Sequence, residues 1–203
     1  LIDKLLKGRL SRNYLERHGV IDHLKSGSGS EIKIVTGDLA RIHKLIVSRK
    51  PKVVLEFGVG FSTIVMAHAL QVIGAGKLYT VDADAQWLEN TRKKLTGNLA
   101  ERVVFYHSEV ECTVVDGQLA ANYLKLPNIV PQFIYLDGPS PSDVKGNIRG
   151  LDFPLSDVRY RHIVASDILL YESSLLTNAY ILVDRRYANV QFLRNNLKRK
   201  WKL

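Results

Sequence analysis

Hydrophobic and polar positions follow two different rhythms along this chain. In residues 1 to 24, Leu5, Leu6, Leu10, Tyr14 and Leu15 recur at near-helical intervals among charged side chains, which predicts one or two amphipathic helices. Ser26-Gly27-Ser28-Gly29-Ser30 reads as a flexible link. Thr36 is placed to cap a further helix that stops before Lys50-Pro51, since the residue ahead of a proline is pushed out of the helical region. From Lys52 the pattern changes to short apolar runs separated by helical stretches, the signature of parallel strands buried on both faces. Five strands are predicted: Val53 to Phe57, Lys77 to Val81, Val103 to His107, Phe133 to Leu136 and Tyr180 to Val183. Helices are predicted near Thr63 to Gln71, Gln86 to Leu95, Val114 to Tyr123, His162 to Leu175 and Val190 to Lys200. Right-handed crossovers wind such a series into a doubly wound, mostly parallel α/β sheet of Rossmann-like form. The expected division is an N-terminal helical cap and linker over residues 1–35 and an α/β domain over residues 36–203.

Composition narrows this picture. A chain of 203 residues with 46% hydrophobic and 24% charged positions suits one globular domain with a short appendage. No apolar run approaches the roughly 20 residues needed to cross a bilayer. Leu1-Ile2-Asp3-Lys4 lacks the order of a signal peptide, so a cytoplasmic protein with no membrane partner is expected. The single cysteine, Cys112, rules out an internal disulfide and a thiolate-cluster metal site, fits a reducing compartment, and is read as an inert thiol. A net charge of +9 and a pI near 9.6 suit an anionic partner such as nucleic acid, phosphate or acidic lipid. The excess is nevertheless concentrated near the two ends, at Lys4, Lys7, Arg9, Arg12, Arg17 and Lys25 and at Arg194, Lys198, Arg199, Lys200 and Lys202. A solvated helical face is therefore preferred over a nucleic-acid footprint.

Ligands of doubly wound sheets collect outside the carboxyl ends of the strands, near the point where strand order reverses. After the first strand comes Glu56-Phe57-Gly58-Val59-Gly60-Phe61-Ser62-Thr63, in which two glycines permit a tight turn and the next helix presents free amides. A dinucleotide fingerprint would have a third glycine at position 63, where threonine stands, which weakens a pyrophosphate reading; a plain strand-to-helix turn is the alternative. The second strand runs into Asp82, 22 residues beyond Gly60, where a carboxylate is placed to accept hydrogen bonds from both ribose hydroxyls of a nucleoside. Asp84 is a second candidate for that role.

Glu56-Phe57-Gly58-Val59-Gly60, then Asp82, then His107-Ser108-Glu109, then Tyr135-Leu136-Asp137-Gly138 resembles the ordered motif series of class I S-adenosylmethionine-dependent methyltransferases. The resemblance covers about residues 36 to 200. It implies that the glycine loop lies under the methionine moiety, that Asp82 holds the ribose and that Ser108 and Glu109 flank adenine. The candidate cofactor-binding set is thus Glu56, Gly58, Gly60, Ser62, Asp82, Ser108, Glu109 and Asp137, with S-adenosylmethionine as the expected cofactor. A closer likeness, to small-molecule O-methyltransferases of the catechol type, rests on Asp137 and Asp184 after the fourth and fifth strands. In that group such positions hold a divalent cation that orients the acceptor hydroxyl. The group's next ligand position carries an amide or carboxylate, whereas Arg185 and Arg186 follow here and guanidinium groups only donate; no metal is expected. That family also finishes its sheet with an antiparallel hairpin, for which only Lys200-Trp201-Lys202-Leu203 remain, so a short or missing hairpin is expected.

The acceptor side is less defined. The longest irregular segment, Pro139 to His162, carries Asp143, Lys145, Arg149, Asp152, Asp157, Arg159, Arg161 and His162, and long loops in compact domains commonly bind or cover ligands. Together with Arg185 and Arg186 it suits a small, anionic acceptor; a solvated charged loop is the alternative. Asp137 and His162 are the candidate catalytic residues, either being able to take a proton from an acceptor hydroxyl. Three other functions remain at this point: a nicotinamide-dependent oxidoreductase, a non-catalytic binding module, and a nucleic-acid methyltransferase. The last is disfavoured because Asp137-Gly138-Pro139-Ser140 stands where an Asn-Pro-Pro-Tyr-type segment is expected. Assembly into homo-oligomers is left open.

Overall fold

The structure is a computed structural model that describes residues 2–25, 36–153 and 162–202; the Ser26 to Ser30 link and Asp157, Arg159 and Arg161 lie outside the described residues. The first elements are helices α1 (Ile2–Arg17), α2 (Val20–Lys25) and α3 (Thr36–Arg49), then strand β1 (Val53–Phe57), α4 (Phe61–Val72), β2 (Lys77–Asp82), α5 (Ala85–Lys94) and β3 (Val103–His107). There follow β4 (Val110–Val115), β5 (Gln118–Tyr123), β6 (Phe133–Leu136), β7 (Val144–Lys145), α6 (Ile168–Tyr171), β8 (Tyr180–Val183) and α7 (Tyr187–Asn196). Strands β3-β2-β1-β6-β8 form a five-stranded sheet, every neighbouring pair parallel. All five predicted strands are present, and strand order reverses between β1 and β6.

The strands are mostly apolar because both faces of the sheet are covered. Side chains alternate across it: Val54, Leu78 and Phe133 pack with Leu15, Leu24, Ile42, Ile46 and Met66 of the N-terminal helices, α3 and α4. Leu55, Phe57, Val81, Ile134 and Leu136 face the other way, against Val110, Tyr123, Phe153, Ile168 and Phe192. The first helices are also tied in by polar contacts, since Tyr14 Oη lies 2.9 Å from His43 Nδ1 and His43 Nε2 lies 3.1 Å from His68 Nδ1. Burial, with His68 and His18 close by, depresses His43 to about 4. No helix among the described residues is long and apolar enough to cross a membrane.

Three predicted helices need correction. Val114 to Tyr123 is not a helix: β4 and β5 form an antiparallel hairpin around Asp116 and Gly117, whose φ values of 49° and 73° are those of the tight turn an Asp-Gly pair favours. β7 adds to β4 in parallel, so a small three-stranded sheet takes the place of a crossover helix. The predicted helix from His162 to Leu175 shrinks to α6 and a 3₁₀ turn over Glu172–Ser174. Its first part is extended instead because the hairpin has an open edge: Ala121 N donates to Val164 O at 2.8 Å and Ser166 N to Ala121 O at 3.0 Å. The predicted helix Val190 to Lys200 starts earlier and stops at Asn196. It ends there because the Glu172 carboxylate accepts the backbone N–H groups of Lys198 and Arg199, at 2.9 and 2.8 Å, drawing the chain out of the helical path. After α7 the described residues contain no further strand.

Candidate functional site

The loop after β1 meets the loop after β6 backbone against backbone. Gly58 has φ of 95°, a left-handed conformation that only glycine adopts without strain. A Cβ added there would stand 2.7 Å from Gly138 N, and one added at Gly138 would stand 2.7 Å from both Gly58 N and Tyr123 Oη. Asp137 N and Gly138 N close the seam, both donating to Phe57 O, at 2.9 and 2.6 Å, while Gly58 N ties the loop to β2 by donating to Val81 O at 2.9 Å. Gly60 is different, being extended, with nothing near an added Cβ.

Beneath the loop lies a polar knot. Glu56 is fully buried; its Oε1 accepts from Ser62 Oγ at 2.5 Å, and its Oε2 accepts from Thr63 Oγ1 at 2.6 Å and Thr80 Oγ1 at 2.8 Å. Thr63 Oγ1 in turn accepts from Gly60 N at 3.0 Å. One carboxyl therefore joins β1, the first turn of α4 and β2. The threonine that breaks the dinucleotide fingerprint is a working part of this knot. Glu56 and Ser62 support the loop from below rather than face outward from it.

Burial pushes Glu56 up to about 8 against the opposing pull of the three hydroxyls. The folded state thus binds this proton more tightly than the unfolded chain does. Stability from this group is fully present below the ordinary glutamate value of about 4.3 and is lost as pH rises toward 8. Glu56→Gln, which imitates the protonated form, is expected to gain thermal stability relative to the parent as pH is raised from 5 to 9. A difference between the two melting temperatures that stays constant over that range would show that Glu56 remains ionised in the fold.

The predicted residues at the strand ends come together in part. Asp82 sits beside the glycine loop, its Oδ2 accepting from Val59 N at 2.6 Å and its Oδ1 from Asp84 N at 2.8 Å. Burial raises its carboxyl above the ordinary aspartate value. Asp84 is committed elsewhere, capping α5 through Gln86 N and Trp87 N. Ser108 lies next to Asp82, since its N–H donates to Asp82 O at 3.0 Å, but its side chain is buried and accepts from Lys125 N at 2.7 Å. Glu109 is exposed and paired with Lys145 Nζ at 2.5 Å. Asp137 stands at the end of β6, on the reversal point of the sheet. His162 is exposed and lies in a loop ahead of α6, not at a helix start.

Burial, followed by the Asp184 carboxyl beside it, pushes Asp137 up to about 6, while Arg186 pulls it back. The Arg186 guanidinium donates to Pro139 O at 2.9 Å and to Asp137 O, with a terminal nitrogen 3.9 Å from Asp137 Oδ1. Arg185 points to Asp38, donating to Oδ2 at 2.6 Å. A cationic side chain already lies against the carboxyl that a divalent ion would use. The donor set does not fit the catechol-type cation. Of the cations expected to greet an anionic acceptor, Arg186 is held by the loop after β6, Arg185 and Lys145 form exposed pairs with Asp38 and Glu109, and Arg159 and Arg161 lie outside the described residues.

Two residues outside the predicted candidate set belong to this region. Tyr123 of β5 stacks on Phe57, with ring centroids 5.7 Å apart, and Asp167 accepts from Tyr123 N at 2.9 Å. Tyr123 Oη and Asp167 Oδ2 are both buried without a hydrogen-bond partner among the described residues. The Asp116-Gly117 turn was the signal that would have put Tyr123 on a strand.

No protein-family model and no curated protein matches the chain. Solved structures do. The methyltransferase PaMTH1 of Podospora anserina, bound to SAH, is 15% identical over 64% of this chain and 56% of its own, with a TM-score of 0.44. The O-methyltransferase of Bacillus cereus in complex with SAH is 17% identical over 63% and 53%, at 0.36. The O-methyltransferase TomG of Streptomyces achromogenes, in complex with SAM, is 20% identical over 65% and 54%, at 0.39. The likeness spans little more than half the length of each of these proteins.

Proposed function

We propose that the chain binds S-adenosylmethionine at the strand ends around Gly58 and Asp82 and transfers its methyl group to an oxygen of a small-molecule acceptor. The observation that carries this reading is the contact between the Asp82 carboxylate and the glycine loop, placed beside the point where strand order reverses. A carboxylate has about four lone-pair sites. Two on Asp82 are taken by Val59 N and Asp84 N, which leaves two for a pair of vicinal hydroxyls.

When bound, the cofactor supplies a methyl group on a positively charged sulfur. The chain's part is to align and to move a proton. Gly58 and Gly138 keep side chains away from the seam, and Glu56, Ser62 and Thr63 hold the loop in place. Asp137 takes the acceptor's proton. Its carboxyl is raised to about 6, close to neutral pH, where a general base is most effective, and Arg186 fixes the loop that carries it. His162 is exposed in the loop ahead of α6, and an acceptor carrying an anionic group remains compatible with the charged segment from Pro139 to His162. Helices α1 and α2 serve as a cap on the α3 and α4 side.

Calorimetric titration with S-adenosylmethionine and, separately, with nicotinamide dinucleotide tests the reading. Saturable binding of the first alone is expected. Binding of the dinucleotide alone would move the chain to oxidoreduction. Tight cofactor binding with no methyl transfer to any of a panel of small hydroxylated acceptors would make it a binding module.

A further inference from the structure

Four of the chain's six histidines meet at one place, where the N-terminal helices rest on α3 and α4. Each comes from a different segment: His18 from the turn after α1, His23 from α2, His43 from α3 and His68 from α4. Neighbouring ring centroids are 5.3 to 5.5 Å apart, from His18 to His43, from His43 to His68 and from His68 to His23. The two central rings, His43 and His68, are buried, while His18 is exposed and His23 half-buried. His43 Nε2 lies 3.1 Å from His68 Nδ1, and that contact holds one proton, since a second would set N–H against N–H. Tyr14 Oη, 2.9 Å from His43 Nδ1, and Lys44 Nζ, over the Tyr14 ring, are the other titratable groups of the cluster. Among the described residues no carboxylate shifts His43 or His68, so added positive charge there meets only positive or neutral neighbours.

We propose that this histidine chain is an acid-released clasp: neutral, it docks α1 and α2 on α3 and α4, and protonated, it lets them go. The cap's own grip is apolar, through Leu15, Val20, Ile21 and Leu24, which are buried in one cluster with Ile42, Ile46 and Met66. The histidines lie at the same seam, and a charge there is costly unless it is paired or reached by water. Burial and the neighbouring histidines depress both central rings, His43 to about 4. In an undocked cap the same rings titrate near the ordinary histidine value of about 6.5. The docked state therefore binds these protons more weakly, so docking is fully favoured above about 6.5 and is lost as pH falls toward about 4. Helices α3 and α4 still cover the sheet when α1 and α2 leave, so the strands stay folded. The clasp works whether or not the cofactor reading holds.

The test is hydrogen exchange of the full ligand-free chain, read by mass spectrometry from about pH 7 to about pH 5 and corrected for the intrinsic pH dependence of exchange. Peptides from α1 and α2 are expected to lose about tenfold or more in protection over that range, while β1 and β6 keep theirs. The paired variant His43→Gln with His68→Gln keeps polar side chains at the seam and cannot be charged, so its cap is expected to keep its protection in acid. If the cap of that variant is already loose at neutral pH, His18→Gln with His23→Gln decides. Both of those rings lie at the rim, and their loss is expected to move cap release to lower pH by easing the repulsion on the central pair. Cap peptides whose protection stays the same across the range would overturn the clasp. So would loss of cap and strand protection together, which is global acid unfolding, and so would an acid response of the cap that is the same in both variants as in the parent.

Discussion

Gly58→Ala is expected to destabilise the ligand-free protein by about 3 to 5 kcal/mol. Two costs combine. A non-glycine residue held at positive φ costs roughly 1 to 3 kcal/mol, and Gly58 sits at 95°. The new methyl would also stand 2.7 Å from Gly138 N and 3.1 Å from Asp137 C. Those are backbone atoms, which cannot rotate aside as a flexible side chain does, and forcing an added carbon into a packed site costs about 1 to 3 kcal/mol more. Relief would mean parting the β1 and β6 loops, with loss of the bonds that Asp137 N and Gly138 N make to Phe57 O. For a chain of this size about 1 kcal/mol lowers the melting temperature by roughly 2 to 4 °C, so a fall of about 10 °C is expected in a thermal melt. Gly60→Ala is the control, since an added Cβ there meets nothing within 4 Å. Equal melting temperatures for the Gly58 variant and the parent would mean that the two loops do not meet as described.

The contrast between these two glycines marks the limit of what the sequence made legible. The five strands were readable because burial on both faces leaves short, mostly apolar runs at regular intervals between helical stretches. The glycine loop and Asp82 were readable because their roles depend on residue type and on position relative to strands. Which glycine is sterically required was not, since that depends on Gly138, 80 residues further along the chain. The β4–β5 hairpin was missed for a different reason. The segment Val114 to Tyr123 is predicted as a helix, whereas its Asp116-Gly117 pair turns the chain back on itself. With the hairpin went Tyr123, and with the segment that pairs to it went the buried Asp167. Arg186 was read from its charge alone, as a group that greets an anion; the fold spends its donors on the carbonyls of Asp137 and Pro139. Side-chain chemistry was legible wherever a strand end dictated the place, and illegible where a partner far along the chain did.

Asp82→Ala is expected to weaken binding of S-adenosylhomocysteine by at least tenfold. If the carboxylate accepts two ribose hydroxyls, the substitution removes two hydrogen bonds to a charged group, each worth up to about 1.5 to 3 kcal/mol, and about 1.4 kcal/mol already corresponds to a factor of ten. Water entering the vacated space recovers part of that. The structure adds a second consequence that a ribose-binding role alone does not contain. Val59 N and Asp84 N lose their acceptor. Both bonds are part-buried, so each lost one costs about 1 kcal/mol, and the ligand-free melting temperature should fall by a few degrees rather than collapse. Affinity and stability are therefore expected to move together but unequally. Asp82→Asn separates them: its one amide oxygen can keep a single backbone donor, restoring part of the stability, while the amide nitrogen cannot accept a hydroxyl proton. Calorimetric titration and ligand-free melting of both variants are the measurements. If the asparagine variant regains stability and stays weak in binding, the carboxylate contacts the ligand; if affinity returns in step with stability, Asp82 acts only by holding the glycine loop.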